Sequence, residues 1–280
     1  MFALKITSQH ATAAYATLKY AGLLLSCHLL ISVVYAGEAT PRLNDTGIQY
    51  GGDYPQGTHT DCTAKITSFN VSQDQAESFI QQQDCSTGLS ANTQQTASVF
   101  SYQKIGASGE NLPPETAEWD CVTDEVSGLM WEVKRKIPDH LHSVSDRFTW
   151  YHSNPTMNGG NIGDWNRHGA HCTGYTSGKP RSYCHIEQFV SRVNKQGLCG
   201  FQDWRVPTRA ELTSLIHFGA SQPAIEQNYF PQTLDTFYWT ANPVAGRPIE
   251  AWAIQFEFGY ASPIRKTDTQ PVRLVRDIQR

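Results

Sequence analysis

The sequence predicts an α+β protein with two short helices, many short strands and long loops. Apolar residues recur at helical spacing in two segments, around residues 186–197 and 208–216. Several other segments alternate apolar and polar residues, as half-buried strands do. Six cysteines follow the amino-terminal segment, and this even number favours a fold stapled by disulfides.

The amino-terminal residues 1–36 have the pattern of a signal peptide. The first residues carry Lys5 and Lys19 without an acidic residue, and 21–35 form a mainly apolar run before Ala36. A retained membrane anchor is the alternative, but the run is shorter than the roughly 20 residues that span a bilayer. We therefore expect cleavage after Ala36, export to the periplasm or the extracellular space, and no membrane span after cleavage.

The remaining cysteines are expected to pair, because exported proteins enter an oxidising space. Six cysteines permit fifteen pairings, which sequence does not distinguish. We favour Cys62–Cys85, Cys121–Cys199 and Cys172–Cys184. The alternative is a zinc site, whose spacing matches no known zinc finger; its ligands would come from His168, His171, Cys172, Cys184 and His185.

Charge is divided unevenly along the chain. Residues 37–132 hold 3 Lys and Arg against 14 Asp and Glu, whereas residues 133–280 hold 17 against 12. One interpretation is that an acidic part docks on a basic part. The other is that the basic part binds anionic ligands such as acidic polysaccharide. Residues 37–280 sum to 20 − 26 = −6 and carry no recognised nucleic-acid motif, so we expect no nucleic-acid partner.

We divide the rest of the chain at residue 115. Residues 37–115 are acidic and rich in Ser, Thr, Gln and Gly, which predicts a β-rich or irregular segment with a strand near 99–102. Residues 116–280 form the second part. Its first strands are predicted on either side of a turn at Ser127-Gly128, from the apolar residues Val122, Leu129, Trp131 and Val133.

Two helices are predicted next. Ile186, Phe189, Val190 and Val193 form one apolar face of a helix that ends near Gly197. Between this helix and the next lies Trp204, which we expect to bridge both in the core.

The second helix should begin at Thr208. Thr208 and Glu211 have the spacing of a capping box, in which each side chain binds the other residue's amide. Leu212, Leu215 and Ile216 would face the core, and Gly219 would form a left-handed cap at the end of the helix.

Strands dominate the carboxy-terminal third. Residues 237–239 begin one strand, and Trp252, Ile254, Phe256 and Phe258 alternate with smaller or polar residues in another, which predicts one buried face. Residues 271–276, P-V-R-L-V-R, should form the returning strand.

Two of these segments resemble a known family. Gly197 to Leu212, G-L-C-G-F-Q-D-W-R-V-P-T-R-A-E-L, together with Pro271 to Arg276, is similar to the Lcl C-terminal domain family of exported bacterial proteins. The resemblance implies a C-type-lectin-like fold and recognition of glycans at cell or host surfaces. It also implies a distant relation to the formylglycine-generating enzymes, which have a similar helix start.

The enzymatic activity of those relatives is not expected here. They are copper-dependent and use a cysteine pair late in the chain, whereas no cysteine follows Cys199. The sequence also lacks G-x-S-x-G, H-E-x-x-H and a Gly-rich phosphate loop between a strand and a helix.

The loop from Trp150 to His185 is the strongest candidate for ligand binding, because it is long and combines aromatic with basic side chains. Sugar recognition uses such flat apolar faces beside polar groups. Alternatively, Trp150 and Trp165 anchor the loop on the core. With the Lys/Arg triplet, the candidate ligand-binding residues are Lys134, Arg135, Lys136, Trp150, Trp165, Arg167, Lys179 and Arg181.

No cofactor is predicted, although calcium is one alternative. Asn158, Asn161 and Asp164 supply oxygens at three-residue spacing, but one carboxylate is few for calcium. Zinc through His168 and His171 is a second alternative.

The sequence thus predicts an exported, non-enzymatic binding or adhesion module for glycans, among them anionic polysaccharide. A cell-envelope enzyme with a loop-built active site and a structural component of a surface assembly are the alternatives. Oligomeric state does not follow from the sequence.

Overall fold

The computed structural model describes the backbone of two short strands, β1 (Gly51–Asp53) and β2 (Gly57–His59), and residues 100–165 and 171–278. All of these belong to one compact unit, Pro41–Arg280. The predicted signal peptide, the pair Cys62–Cys85, and Arg167 with His168 lie outside the described residues. Among the described residues, no helix has the length and apolar character to cross a membrane.

A four-stranded antiparallel sheet carries one half of the core. Its strands are β3 (Tyr102–Ile105), β4 (Cys121–Asp124), β5 (Leu129–Glu132) and β9 (Val275–Asp277), adjacent in that order. Strands β4 and β5 form the predicted hairpin, with Val122 opposite Trp131. Gly128 closes the turn with φ of +73°, a conformation that glycine adopts without strain.

The predicted division at residue 115 cuts this sheet. Strand β3 precedes residue 115, yet it pairs along its length with β4, from Tyr102 opposite Asp124 to Ile105 opposite Cys121. Residues 100–115 therefore belong to the same folded body as the strands that follow. Sequence could not show this, because a single four-residue strand carries little periodicity.

The second sheet has three antiparallel strands, β6 (Phe237–Val244), β7 (Arg247–Gln255) and β8 (Tyr260–Arg265), in chain order. The prediction of one buried face on β7 was wrong in part. Ala253 and Ile254 are both buried, while Trp252 is half-buried and Phe258 is exposed. Both faces of β7 are covered near its end, where Ala253, Ile254 and Gln255 are buried in succession.

Strand β8 lies at the edge of this sheet and contains a proline. The register places Pro263 opposite Trp252. Trp252 directs its carbonyl away from β8, since Thr240 on β6 donates its hydroxyl to that oxygen at 2.8 Å. In an antiparallel pair, two opposite residues direct their backbone N–H and C=O groups either both toward or both away from the partner strand. The backbone of Pro263 therefore points away from β7, and the N–H that proline lacks is missing at the outer edge rather than from the pairing with β7.

Helix α1 (Ile186–Gln196) confirms the first predicted helix. His185 caps its start by accepting from the Gln188 amide, and Gly197 ends it with φ of +81°. Ile186, Phe189 and Val193 are buried as expected. Trp204 is buried beside the helix, where the Asn194 side chain binds both the amide and the carbonyl of Trp204 at 2.8 Å.

Helix α2 (Arg209–Thr213) begins with the predicted capping box. The Thr208 hydroxyl accepts from the Glu211 amide at 3.2 Å, and the Glu211 carboxylate accepts from the Thr208 amide at 2.7 Å. The predicted cap at Gly219 was wrong, because the helix ends at Thr213. Beyond it the chain tightens into bonds between residues three apart, such as Ile216 N to Thr213 O.

Replacement of Thr208 by Ala should lower the free energy of unfolding by about 1 kcal/mol, because the Glu211 amide loses its acceptor. Thr208→Ser, which keeps the hydroxyl, is the matched control and should stay close to the parent. Urea unfolding of the three proteins measures the difference. Equal stability of Thr208→Ala and the parent would show that water replaces the cap at no cost.

The two segments that carry the family resemblance pack against each other. Arg205 and Val275 exchange backbone hydrogen bonds at 2.9 Å in each direction. One residue farther, the guanidinium of Arg276 binds the carboxylate of Asp203 at 2.6 Å and lies 3.6 Å from the centre of the Phe201 ring. The motif is therefore one structural unit that fastens the closing strand to the start of α2.

Two of the three predicted disulfides are present. Cys121 and Cys199 join strand β4 to the turn after α1, and both are buried. Cys172 and Cys184 close the loop before α1. These two cysteines therefore cannot serve as the zinc ligands of the alternative interpretation.

Candidate functional site

Three aromatic side chains from the long loop form a cluster at the surface. The ring centres of Trp165 and Tyr183 are 5.7 Å apart, and those of Tyr175 and Tyr183 are 6.1 Å apart. Trp165 and Tyr175 are 45% and 43% exposed, whereas Tyr183 is buried. Both pairs are inclined by about 35°. The buried ring thus supports two exposed rings that present apolar faces to solvent; we call these three residues the aromatic cluster.

The disulfide loop between Cys172 and Cys184 carries two of the three rings, Tyr175 and Tyr183. Within it, the hydroxyl of Ser182 accepts from the Thr176 amide at 2.8 Å and lies 2.7 Å from the Lys179 carbonyl. A single turn of 3₁₀ helix, Pro180–Ser182, leads back to the second cysteine. The loop is short and internally bonded, which limits its conformations.

Two cations stand on the same loop. Lys179 and Arg181 are exposed, and both lie between Tyr175 and Tyr183 in the sequence. Of the predicted ligand-binding residues, the structure therefore places Trp165 in the aromatic cluster, and Lys179 and Arg181 on the disulfide loop that also carries Tyr175 and Tyr183. An apolar sugar face could stack on a ring while an acidic substituent contacts a cation.

The predicted role of Lys134 was wrong. Its side chain is 2% exposed, and its ammonium binds the buried Glu132 carboxylate at 2.8 Å and lies 4.7 Å from the centre of the Phe189 ring. Arg135 is mostly covered and pairs with Asp120 at 2.7 Å. Lys136 is exposed. The triplet passes from the core to the surface, with Lys134 buried, Arg135 partly covered and Lys136 exposed, so it is not a basic patch.

The prediction that Trp150 binds a ligand was also wrong. Its side chain is fully buried, and its Nε1 donates to the Thr240 carbonyl at 2.9 Å. The ammonium of Lys266 lies 4.3 Å from the centre of its ring. Trp150 thus anchors the start of the loop, as the alternative interpretation held for it.

Lys266 organises the part of the loop for which calcium was considered. Its ammonium donates to the carbonyls of Asn158 and Asn161 at 2.7 and 2.6 Å. The side-chain oxygens of the same residues accept from the amides of Gly160 and Gly163. Burial lowers the pKa of Lys266 to about 8, while the carbonyls and the Trp150 ring favour its charged form. The ammonium of Lys266 therefore already occupies the point at which the carbonyls of Asn158 and Asn161 converge.

A buried ionic cluster is centred on Glu132. One oxygen of Glu132 binds Lys134 at 2.8 Å and His142 at 2.7 Å, and the other accepts from the Leu274 amide at 2.8 Å. Burial raises the pKa of Glu132, but the attraction of Lys134 and His142 outweighs it and lowers the pKa to about 2. The cluster joins three separate segments of the chain, and Glu132 acts there as an anion.

Sequence reasoning missed a cleft of about 440 Å³ between the loop, helix α1 and the start of α2. Its walls are mainly apolar, with Met157, Ile186, Val190 and Val206 among them. Glu187 and Arg205 supply polar groups. The helical pattern marked Val190 as part of the apolar face of α1, but pattern alone does not show that this residue faces a cleft rather than the core.

Metal-ligating side chains are not gathered in the part of the chain that the structure describes. Across residues 100–165 and 171–278 no three His, Cys, Asp or Glu side chains converge in a way that could hold a metal ion. His171 is exposed, and His185 is used as the cap of α1. Burial lowers the pKa of His185 to about 4, so this imidazole is neutral at pH 7.

Comparison with known proteins adds the family. No curated protein matches the chain. The family model of the Lcl C-terminal domain matches residues 120–276, which cover strand β4 through β9 and both signature segments. Because this match extends over more than half of the 280 residues, the chain belongs to the Lcl C-terminal domain family.

Proposed function

We propose that this protein is an exported, non-enzymatic glycan-binding or adhesion module with a C-type-lectin-like fold. The observation that carries the proposal is the aromatic cluster, in which Trp165 and Tyr175 are exposed and lie against Tyr183. Large exposed aromatic faces are uncommon without a binding role when they are grouped and rigidly held. The disulfides agree with export to an oxidising compartment, the periplasm or the extracellular space.

Anionic polysaccharide is the favoured class of ligand. Pyranose rings have apolar C–H faces that stack on aromatic rings, and Lys179 and Arg181 stand on the disulfide loop that carries Tyr175. Cations on this loop would attract carboxylate or sulfate substituents. Lys136 is exposed but lies outside this loop, and Lys134 is not available, so the triplet does not take part.

The test is binding of heparin-like and acidic bacterial glycans by the full chain at two salt concentrations. Binding should weaken with salt, because attraction between exposed charges is screened over about 8 Å at physiological ionic strength. Trp165→Ala should weaken binding by more than about fivefold at both salt concentrations, since truncation of a central contact residue costs more than about 1 kcal/mol. The double variant Lys179→Gln with Arg181→Gln should weaken binding mainly at low salt.

Two control variants distinguish the effect of losing a residue of the proposed site from the effect of losing any exposed aromatic or basic side chain. Phe258→Ala removes an aromatic side chain that is more exposed than Trp165 and lies on the turn before β8. Arg247→Gln removes an exposed cation from β7. Both should bind like the parent. Absence of binding by the parent, or equal losses in the site variants and these controls, would refute the proposal.

A further inference from the structure

The cleft beside α1 has a composition that selects for an apolar ligand. Met157, Val190 and Val206 face it from three different segments, and Met157 is 48% exposed. An accessible thioether beside two aliphatic side chains favours a flexible alkyl or aromatic group. The volume of about 440 Å³ suits a small molecule.

The positive charge in the cleft is already neutralised. Both terminal nitrogens of Arg205 bind the Glu211 carboxylate, at 2.8 and 2.7 Å. The second of them also contacts Asp277 at 3.1 Å. Arg205 thus has two carboxylate partners and is not free to bind an anion.

The carboxylate of Glu187 is held by neutral hydrogen-bond donors. Ser153 donates to both of its oxygens, the amide at 2.7 Å and the hydroxyl at 2.6 Å. These neutral donors fix the carboxylate in position without cancelling its charge. Within the described residues no Lys or Arg pairs with Glu187, and the neighbouring His185 is neutral at pH 7 because burial lowers its pKa to about 4.

The cleft therefore joins an apolar wall to one fixed carboxylate that no Lys or Arg of the described residues neutralises. The aromatic ring of Tyr151 lies at the same cleft and packs on His185 with ring centres 4.7 Å apart. An ammonium group gains both from a carboxylate and from the face of an aromatic ring. An anion would be repelled by both the carboxylate and the face of the ring.

We propose that this cleft binds a small organic cation, a primary amine on an alkyl or aryl body, with the ammonium at Glu187 and the apolar part against Met157, Val190 and Val206. The site is separate from the aromatic cluster in the residues that form it. The proposal does not depend on glycan binding.

The test uses three probes of the same shape, 4-phenylbutylamine, 4-phenylbutanol and 4-phenylbutyrate, titrated into the full chain and followed by NMR. The amine should bind roughly tenfold more tightly than the alcohol, as a hydrogen bond to a charged group allows, and the carboxylate should bind most weakly. In Glu187→Gln the amine should lose this advantage and bind like the alcohol. Asp235→Asn, which removes an exposed carboxylate outside the cleft, should leave the preference unchanged.

A second variant covers the case in which Glu187→Gln unfolds, because Glu187 also holds Ser153. Val190→Phe should fill the cleft and weaken all three probes while Glu187 stays in place. Circular dichroism verifies that each variant is folded. The proposal is overturned if none of the probes binds, if the amine and the alcohol bind the parent equally, or if Val190→Phe leaves amine binding intact. If Glu187→Gln loses the preference for the amine but still binds glycans, the amine site and the glycan site are independent of each other.

Discussion

Glu132→Gln should lower the free energy of unfolding by about 3–5 kcal/mol, because removal of one partner leaves a buried charge without compensation. The Glu132 carboxylate is fully buried and compensates Lys134, which is equally inaccessible. A neutral amide of the same shape keeps one acceptor but not the charge. Urea unfolding of the parent and the variant measures the loss.

The matched control is an exposed ion pair. Arg247 and Glu250 pair at 3.0 Å, with Arg247 more than half exposed. Arg247→Gln should cost no more than about 1 kcal/mol. If both substitutions cost the same, the buried cluster does not stabilise the fold beyond what solvent-exposed charges provide.

The stability of the protein in acid should also depend on the carboxylate of Glu132. Its pKa is about 2 in the folded protein, below the ordinary value of 4.5, so the folded state holds fewer protons than the unfolded state between these values. The stability that this group contributes is complete above about pH 4.5 and is lost as the pH falls to about 2. The melting temperature of Glu132→Gln should therefore depend less on pH across this window than that of the parent.

Removal of the Cys121–Cys199 bond should have a comparable effect. The cysteines are 78 residues apart, and closing a loop of this length restricts the unfolded chain by about 4.5 kcal/mol in the chain-entropy model. Cys121→Ala with Cys199→Ala also removes buried sulfur atoms from the core. We expect the double variant to be unfolded, or nearly so, at 37 °C.

The second disulfide provides the comparison. Cys172 and Cys184 are 12 residues apart, so loss of their bond should cost about 3 kcal/mol. Cys172→Ala with Cys184→Ala should therefore melt at a higher temperature than the first double variant. If the proposed glycan binding holds, this variant should also lose it, because Tyr175 and Tyr183 lie on this loop. The opposite order of melting temperatures would contradict the chain-entropy argument.

Local signals in the sequence predicted the helices well. The capping box at Thr208 and the apolar face from Ile186 to Val193 depend on residues within one or two turns of each other, so short-range spacing contains the information. The end of α2 was missed because nothing local distinguishes a helix that continues to Gly219 from one that tightens after Thr213. The pairing of β3 with β4 was missed because it joins segments that are far apart in the sequence, and no local pattern indicates such a contact.

The candidate site follows from the sequence only in part. Trp165, Lys179 and Arg181 were selected as candidates because they occur in a long loop without apolar periodicity. Lys134 and Trp150 were misjudged, since the composition of a segment does not show which side chains face the core. One signal was available for Lys134: Glu132 lies two residues earlier, and side chains at that spacing share a face of an extended chain. The cleft at Glu187 is formed by three distant segments, which no local pattern brings together.

Pro263 has a consequence for the behaviour of the protein among copies of itself. No described strand pairs with the outer edge of β8, where the alternation of the strand directs the amides of Ala261 and Arg265 outward while Pro263 between them has no N–H. A strand from a second molecule would therefore meet an interrupted ladder, which weakens edge-to-edge pairing. Tyr260 and Phe258 are exposed beside this edge, and apolar side chains next to an unbroken edge favour aggregation. The proline thus weakens fibrillar growth from an edge that no described strand covers.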